Sequence, residues 1–135
     1  MRVGLMGFGR IGRSLFRILY NHPTIEVGAI SDVADPEAME YLLKFDTILG
    51  RFPDEVRIRD GHLYVVGKQI PMLTGAAPGD VAWGDLGVDI VIEATSRVRG
   101  RAELARHLDR GAKRVILCSP PIDAPDLTVV MGVND

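Results

Sequence analysis

Met6-Gly7-Phe8-Gly9-Arg10-Ile11-Gly12-Arg13 carries a Gly-x-Gly-x-x-Gly run directly after the apolar stretch Val3-Gly4-Leu5-Met6. Glycines at this spacing meet three separate demands: Gly7 a tight turn out of a strand, Gly9 close approach of a pyrophosphate to bare backbone, and Gly12 close packing of the following helix. The first helical turn would present its free N–H groups, including those of Arg10 and Ile11, to an anion. The chain holds 15 glycines, so the run alone also fits a strand-to-helix turn that binds nothing. Its surroundings decide. Ile11, Leu15, Ile18 and Leu19 recur on one helical face, and Pro23 closes the run. The strand Ile25-Glu26-Val27-Gly28-Ala29-Ile30 then delivers Ser31-Asp32, with Asp32 lying 20 residues past Gly12. Strand, glycine turn, amphipathic helix, second strand and acidic residue at about 20 positions are the parts of a dinucleotide site. A carboxylate in that place favours a free ribose over a 2′-phosphorylated one, hence NAD over NADP.

The 135 residues suit one domain able to bury a real core. Hydrophobic residues make up 47% and charged residues 25%, as in ordinary globular proteins. A formal net charge of −2 argues against whole-surface binding of nucleic acid or membrane. The longest uncharged stretch, Gln69 to Gly79, has 11 residues, too few to cross a bilayer. No signal-peptide pattern opens the chain, and the single cysteine, Cys118, can form no internal disulfide. A reducing cytoplasm is the expected setting. No residue is assigned to a metal.

Along the chain, Asp35-Pro36-Glu37 reads as a helix start, with a carboxylate cap and proline at the first helical position. Met39, Leu42 and Leu43 form its apolar stripe. Lys44 to Phe52 fits no period and reads as an ordered loop pinned by Phe45 and Phe52. Val56 and Ile58, then Leu63 and Val65, alternate on either side of Asp60-Gly61, a hairpin signal. Lys68 to Leu73 reads as a further short strand, and Pro78 to Ala82 as a helical turn ending at Trp83. Val88 to Ala94 reads as a central parallel strand, and Arg101 to Arg110 as a helix with Ala102, Ala105 and Leu108 on one side and Gly111 as terminator. Arg114 to Leu117 and Leu127 to Met131 read as the last two strands. Strands alternating with helices imply an α/β fold, a doubly wound parallel sheet with a small β-hairpin insertion. Cys118-Ser119-Pro120-Pro121 then lies at a strand's carboxyl end, on the edge where such sheets bind ligands.

Residues 97 to 114 hold seven bases against two acids, a pattern read as a solvated helix face, with a polyanion or partner contact as the alternative. Arg10, Arg13 and Arg17 share helical spacing; they favour phosphate or face water.

Over nearly its full length the chain resembles the cofactor half of the glyceraldehyde-3-phosphate dehydrogenase family. The resemblance rests on Gly7-Phe8-Gly9-Arg10-Ile11-Gly12-Arg13, Asp32 with Asp35-Pro36, Leu42-Leu43-Lys44-Phe45-Asp46, Gly50-Arg51-Phe52, Gly87 to Thr95, His107-Leu108, Gly111 to Ile116, and Val130-Met131-Gly132-Val133-Asn134. It implies a Rossmann-like NAD-binding domain over residues 1–135. The activity it implies is oxidation of an aldehyde phosphate with NAD and inorganic phosphate, by a homo-oligomer acting through a cysteine thioester in glycolysis. The expected cofactor-binding residues are Gly7, Phe8, Gly9, Arg10, Ile11, Gly12 and Asp32, with Thr95, Ser96 and Cys118 on the inner, nicotinamide side.

The family pattern has Asn at Met6, Arg at Ala76, Gly at Ser96, an aromatic near Val98, Ser at Cys118, and often His or Tyr at Leu49, so the chain resembles a divergent member. The family's nucleophile motif, Ser-Cys-Thr-Thr-Asn-Cys, lies beyond the Met-Gly-Val-Asn stretch. No catalytic residue is therefore expected within 1–135, and Cys118 is read as lining the groove rather than as the nucleophile. Two other readings are a non-catalytic NAD-binding or regulatory module, and an erythrose-4-phosphate dehydrogenase-like protein.

Overall fold

The computed structural model describes residues 1–135. In chain order the elements are β1 (Arg2–Met6), α1 (Arg10–Leu19), β2 (Glu26–Ser31), α2 (Pro36–Lys44), β3 (Phe45–Asp46), β4 (Gly50–Arg51), β5 (Val56–Arg59), β6 (His62–Val65), β7 (Lys68–Leu73), β8 (Ile90–Glu93), α3 (Arg101–Asp109) and β9 (Arg114–Leu117). One seven-stranded sheet runs β5-β6-β7-β2-β1-β8-β9. From β7 to β9 every pairing is parallel, while β5, β6 and β7 form an antiparallel flank. This is the expected doubly wound sheet, with the hairpin extending it rather than standing apart.

Strand periodicity divides the core. Val3 and Leu5 of β1 join Phe16, Leu19, Val27 and Ile30 in one apolar cluster, and Met6 joins Ala29, Trp83, Val88 and Val91 in the other. Burial on both faces explains why β1 has no polar residue after Arg2. No helix bridges β7 and β8. The crossover is built of turns, and the fully buried Trp83 fills the space a helix would cover. Its indole lies over Gly4, where an added Cβ would come within 2.5 Å of the ring.

Both turns of the antiparallel flank have two residues with positive φ, at Asp60 (50°) and Gly61 (70°) and at Val66 (46°) and Gly67 (72°), the mark of type I′ hairpins. α2 begins as its sequence requires, with Asp35 accepting a bond from the Ala38 N–H at 2.9 Å. Glu40 ties this helix to the flank. Its carboxylate receives the Ile58 N–H (2.7 Å) and the Lys44 ammonium (2.5 Å). Burial pushes the Glu40 carboxyl up, but the bonds from Lys44 and Ile58 and the charges of Lys44 and Arg57 outweigh it and hold it below its ordinary value. A depressed carboxylate stabilises the fold above the ordinary pKa, about 4.3, and loses that contribution as pH falls through the lower folded value. Glu40→Gln keeps the bond to Ile58 and removes the charge. It should cost about 1 kcal/mol at neutral pH. The gap to wild type should close in acid, where the protonated Glu resembles Gln. Urea midpoints across pH test this, and a gap independent of pH would refute it.

Several sequence expectations are corrected. The sheet-facing side of α1 is Gly12, Phe16 and Leu19 with Leu15 beside them, whereas Ile11 and Ile18 are 48% and 68% exposed. The cause is Gly12, where an added Cβ would sit 2.1 Å from the Gly7 carbonyl oxygen. The helix comes closest there, so residues four and seven positions on turn inward. In α2, Met39 and Leu43 are buried but Leu42 is exposed. The stretch from Lys44 to Phe52 contains the short β3–β4 pairing; Phe52 is buried against Phe16 and Tyr20, and Phe45 is 44% exposed. The helical turn expected over Pro78 to Ala82 is a turn at Pro78 and Gly79 only, with Asp80 taking the Ala76 and Ala77 N–H groups. The strand expected over Val88 to Ala94 is confined to β8. In α3 the buried residue is His107, while Ala102 and Leu108 face outward.

Leu127 to Met131 form no strand. A side chain occupies backbone groups a ladder would use: Asn134 accepts from the Val130 N–H and donates to the Thr128 carbonyl. No helix of the fold is long and apolar enough to cross a membrane.

Candidate cofactor site

Parallel register brings the expected residues to one edge. Met6 pairs with Ser31 on one side and with Glu93 on the other, and Glu93 pairs with Leu117. The next residues along each strand, Gly7, Asp32, Ala94 and Cys118, therefore emerge together at the carboxyl end. Backbone bonds continue the ladder into the loops, from Gly7 N–H to Ser31 (2.8 Å), Ala94 N–H to Met6 (2.7 Å) and Cys118 N–H to Glu93 (3.0 Å).

The three glycines differ as their spacing implies. Gly7 has φ +97°, and a Cβ there would come within 2.8 Å of the Thr95 nitrogen. Gly12 abuts the Gly7 carbonyl. Gly9 has nothing within 4 Å of an added Cβ, so its surface is open to a ligand. The first backbone bond of α1 runs from Arg13 N–H to the Gly9 carbonyl, leaving the N–H groups of Arg10, Ile11 and Gly12 without helical partners. Gly9 supplies no side-chain cap, and the first turn holds no acid. An uncapped helix end behind an open glycine is suited to an anion.

Asp32 reaches back to this loop. Its Oδ2 accepts from the Phe8 N–H at 2.6 Å and its Oδ1 from the Ala34 N–H at 2.8 Å, and a carboxylate keeps further lone pairs for ribose hydroxyls. The Phe8 side chain, 1% exposed, packs edge-on against Phe16 and so lies in the core; with its N–H held by Asp32, Phe8 anchors the loop. The Phe8 carbonyl accepts from Arg13 at 2.9 Å. Burial pulls the Arg13 guanidinium below its ordinary value against the attraction of Asp46 and Asp32. Arg17 is likewise occupied, donating to the Leu43 and Gly50 carbonyls. Of the three helix arginines, Arg10 is the exposed one.

On the inner side, Thr95 is half-buried and Ser96 exposed. Ser96 has φ +62°, a left-handed conformation natural to the glycine of the family pattern. Cys118 is exposed at the end of β9. Nearby bases do not lower its thiol; partial burial and then the charge of Glu93 push it up. Ser119 Oγ is buried without a hydrogen-bond partner, an orphan hydroxyl beside Cys118 that its place at a strand end could have flagged.

A further set escaped sequence reading. Glu93, His107 and Trp83 are each 0% exposed and joined by hydrogen bonds, from the Trp83 indole N–H to His107 Nδ1 (2.9 Å) and between His107 Nε2 and Glu93 Oε2 (3.1 Å). His107 is thus a partner of the strand carrying the site. The signal was a single glutamate in a strand that must be covered on both faces. The surface concavity of about 470 Å³ among Glu55, Arg57, Tyr64 and Lys68 lies on the antiparallel flank, away from the uncapped helix end and Asp32.

The family described as "Glyceraldehyde 3-phosphate dehydrogenase, NAD binding domain" matches residues 1–101. Glyceraldehyde-3-phosphate dehydrogenase of Geobacillus stearothermophilus is 46% identical over 134 residues, which is 99% of this chain and 40% of the relative. The Bacillus subtilis (strain 168) protein named glyceraldehyde-3-phosphate dehydrogenase 1 is 42% identical over 135 residues, 100% of this chain and 40% of its own. A Thermotoga maritima glyceraldehyde-3-phosphate dehydrogenase is 43% identical over 136 aligned positions, with 99% and 40% covered. The chain therefore spans about 40% of the length of these relatives.

Proposed function

The chain belongs to the glyceraldehyde 3-phosphate dehydrogenase family, whose NAD-binding domain it carries, and we propose that residues 1–135 form one domain, the cofactor half of a phosphorylating aldehyde dehydrogenase. In the reaction proposed, an aldehyde phosphate, NAD and inorganic phosphate give an acyl phosphate and NADH. NAD, when bound, supplies the hydride acceptor. The observation that carries the assignment is the pairing of the uncapped α1 N-terminus, behind the open Gly9, with the Asp32 carboxylate fixed across the same loop.

The N–H groups of Arg10, Ile11 and Gly12 hold the pyrophosphate, Asp32 accepts from the adenosine ribose, and Thr95, Ser96, Cys118 and the orphan Ser119 hydroxyl line the inner end. The nucleophile and the substrate-phosphate contacts are assigned to the part of the family's length outside these residues, and the working enzyme to a homo-oligomer.

Gly9→Ala and Gly12→Ala separate binding from folding. Gly9 has extended backbone (φ −69°, ψ −157°) and open space, so alanine there should leave the melting temperature within about 2 °C, since a change below 0.5 kcal/mol moves it little. Its methyl group stands where the anion approaches, and NAD affinity should fall at least about tenfold. At Gly12 the methyl meets a backbone oxygen that cannot move freely, costing about 1–3 kcal/mol or more of stability. Thermal melts and calorimetric titration read both, and equal destabilisation by the two would refute the separation.

The reaction itself is tested by co-expressing the chain with the remainder of a relative's sequence. NADH should form only when both parts, the aldehyde phosphate and inorganic phosphate are present. An assembled pair that binds NAD without oxidising the aldehyde would overturn the proposal.

A further inference from the structure

We propose that Glu93 is a positioning residue for the nicotinamide end of the cofactor. Its buried carboxylate, set by His107 and Trp83, holds the Thr95–Ser96 turn in the shape that meets the ligand. This rests on the NAD reading above. It assigns a task to a buried polar set that the cofactor contacts do not use.

Hydrogen-bond inventory fixes the protonation pattern. An indole N–H can only donate, so the bond from Trp83 to His107 Nδ1 at 2.9 Å requires an unprotonated Nδ1. The imidazole proton of the neutral ring then sits on Nε2 and is donated to Glu93 Oε2 at 3.1 Å. The other carboxylate oxygen, Oε1, accepts both the Thr95 N–H at 2.9 Å and the Thr95 hydroxyl at 2.5 Å. Three donors therefore converge on one buried carboxylate, and none of them is a formal cation.

Removing a carboxylate from water is costly unless its oxygens are bonded, and a wholly apolar filling could have stabilised this part of the core as well. What the carboxylate adds is a fixed place for Thr95. The next residue is Ser96 at φ +62°, which a side-chain-bearing residue holds only when its surroundings over-determine it. The Arg97 N–H closes the turn onto Thr95 Oγ1 at 3.2 Å. On its other side Thr95 is packed against Gly7, whose added Cβ would lie 2.8 Å from the Thr95 nitrogen and 3.0 Å from its Cα. A shift of Thr95 thus bears directly on the glycine turn.

An amide cannot replace this carboxylate. In Glu93→Gln one end of the amide must set its NH2 against a donor, either His107 Nε2–H or Thr95 N–H, because Trp83 prevents the imidazole from changing tautomer. The discriminating ligands are NAD and ADP-ribose, which share the adenosine and pyrophosphate and differ at the nicotinamide. Calorimetric titration should show wild type binding NAD more tightly than ADP-ribose. Glu93→Gln should lose about tenfold in NAD affinity, the value of one charge-assisted bond, and less than about twofold in ADP-ribose affinity. His107→Phe, altered at a residue that touches neither ligand, should move the ratio in the same direction. Thr95→Val should do so too, while Thr95→Ser, which keeps the hydroxyl, restores it. If Glu93→Gln does not fold, Thr95→Val and Thr95→Ser make the same comparison on a half-buried residue; the emission of Trp83, the only tryptophan, checks the fold of each variant. Equal loss of both ligands in the variants, or equal affinity of wild type for both, would overturn the positioning role. Failure of wild type to bind either ligand would instead overturn the NAD reading.

Discussion

Given glyceraldehyde 3-phosphate, inorganic phosphate and NAD, the 135-residue chain is expected to bind the cofactor yet form no NADH above the uncatalysed rate. Aldehyde oxidation through a thioester needs a thiolate and a base within about 2.6–3.2 Å of the group it serves. The only thiol is that of Cys118, which partial burial and then the charge of Glu93 push up from its ordinary value. Of the three histidines, His107 has both ring nitrogens engaged in the core. His22 accepts the Thr24 and Ile25 N–H groups after α1, and His62 bonds the Asp60 carbonyl in its hairpin. None can activate Cys118. Loss of oriented reaction forfeits roughly 7–11 kcal/mol, several orders of magnitude in rate. NADH absorbance on the purified chain and on Cys118→Ser is the measurement, and both should give the same blank. Turnover by the chain that vanishes in Cys118→Ser would make Cys118 the nucleophile.

Replacing NAD by NADP should weaken binding by about three orders of magnitude. A 2′-phosphate would stand against Asp32 as a like charge, costing about 4 kcal/mol per unit pair at 4 Å and an effective dielectric of 20. The carboxylate cannot swing aside cheaply, since it would abandon the Phe8 N–H at 2.6 Å and the Ala34 N–H at 2.8 Å. The residues after Asp32, Val33 and Ala34, bring no base, the Arg13 guanidinium is held on the Phe8 carbonyl, and Arg10 opens α1 at the end proposed for the pyrophosphate. Asp32→Ala should therefore do two things at once. It should lower NAD affinity by at least about tenfold, through lost ribose bonds and an orphaned Phe8 N–H, and it should narrow the preference over NADP. Calorimetric titration of both proteins with both cofactors decides it. Equal or tighter NADP binding by wild type would remove Asp32 from the ribose site.

The glycine turn and the carboxylate beside it were legible because their geometry is local. Gly7, Gly9 and Gly12 act through their own backbone and lie within six residues of one another, while Asp32 is placed by a strand and helix whose periods are written in the chain. Asp35-Pro36 and Asp60-Gly61 are equally local, since a cap and a type I′ turn depend on adjacent residues. The same confinement explains the errors. Periodicity identified α1 as amphipathic, but the contact at Gly12 selected which stripe faces the sheet, and Ile11 and Ile18 were left outside.

What the sequence by itself determined is the α/β class, the strand–glycine turn–helix unit, and the acidic residue that answers it, each set by short-range steric and hydrogen-bonding rules. Tertiary structure alone decided what depends on groups far apart along the chain. It gave Phe8 to the core and its N–H to Asp32, let Trp83 rather than a helix cover β1 at Gly4, and denied Leu127 to Met131 a strand, its backbone at Thr128 and Val130 being taken by Asn134. It also joined Glu93 to His107, 14 residues away, and His107 to Trp83, 24 residues away. A buried carboxylate is tolerable only where distant donors converge on it, and no period or spacing along one strand records where those donors will come from.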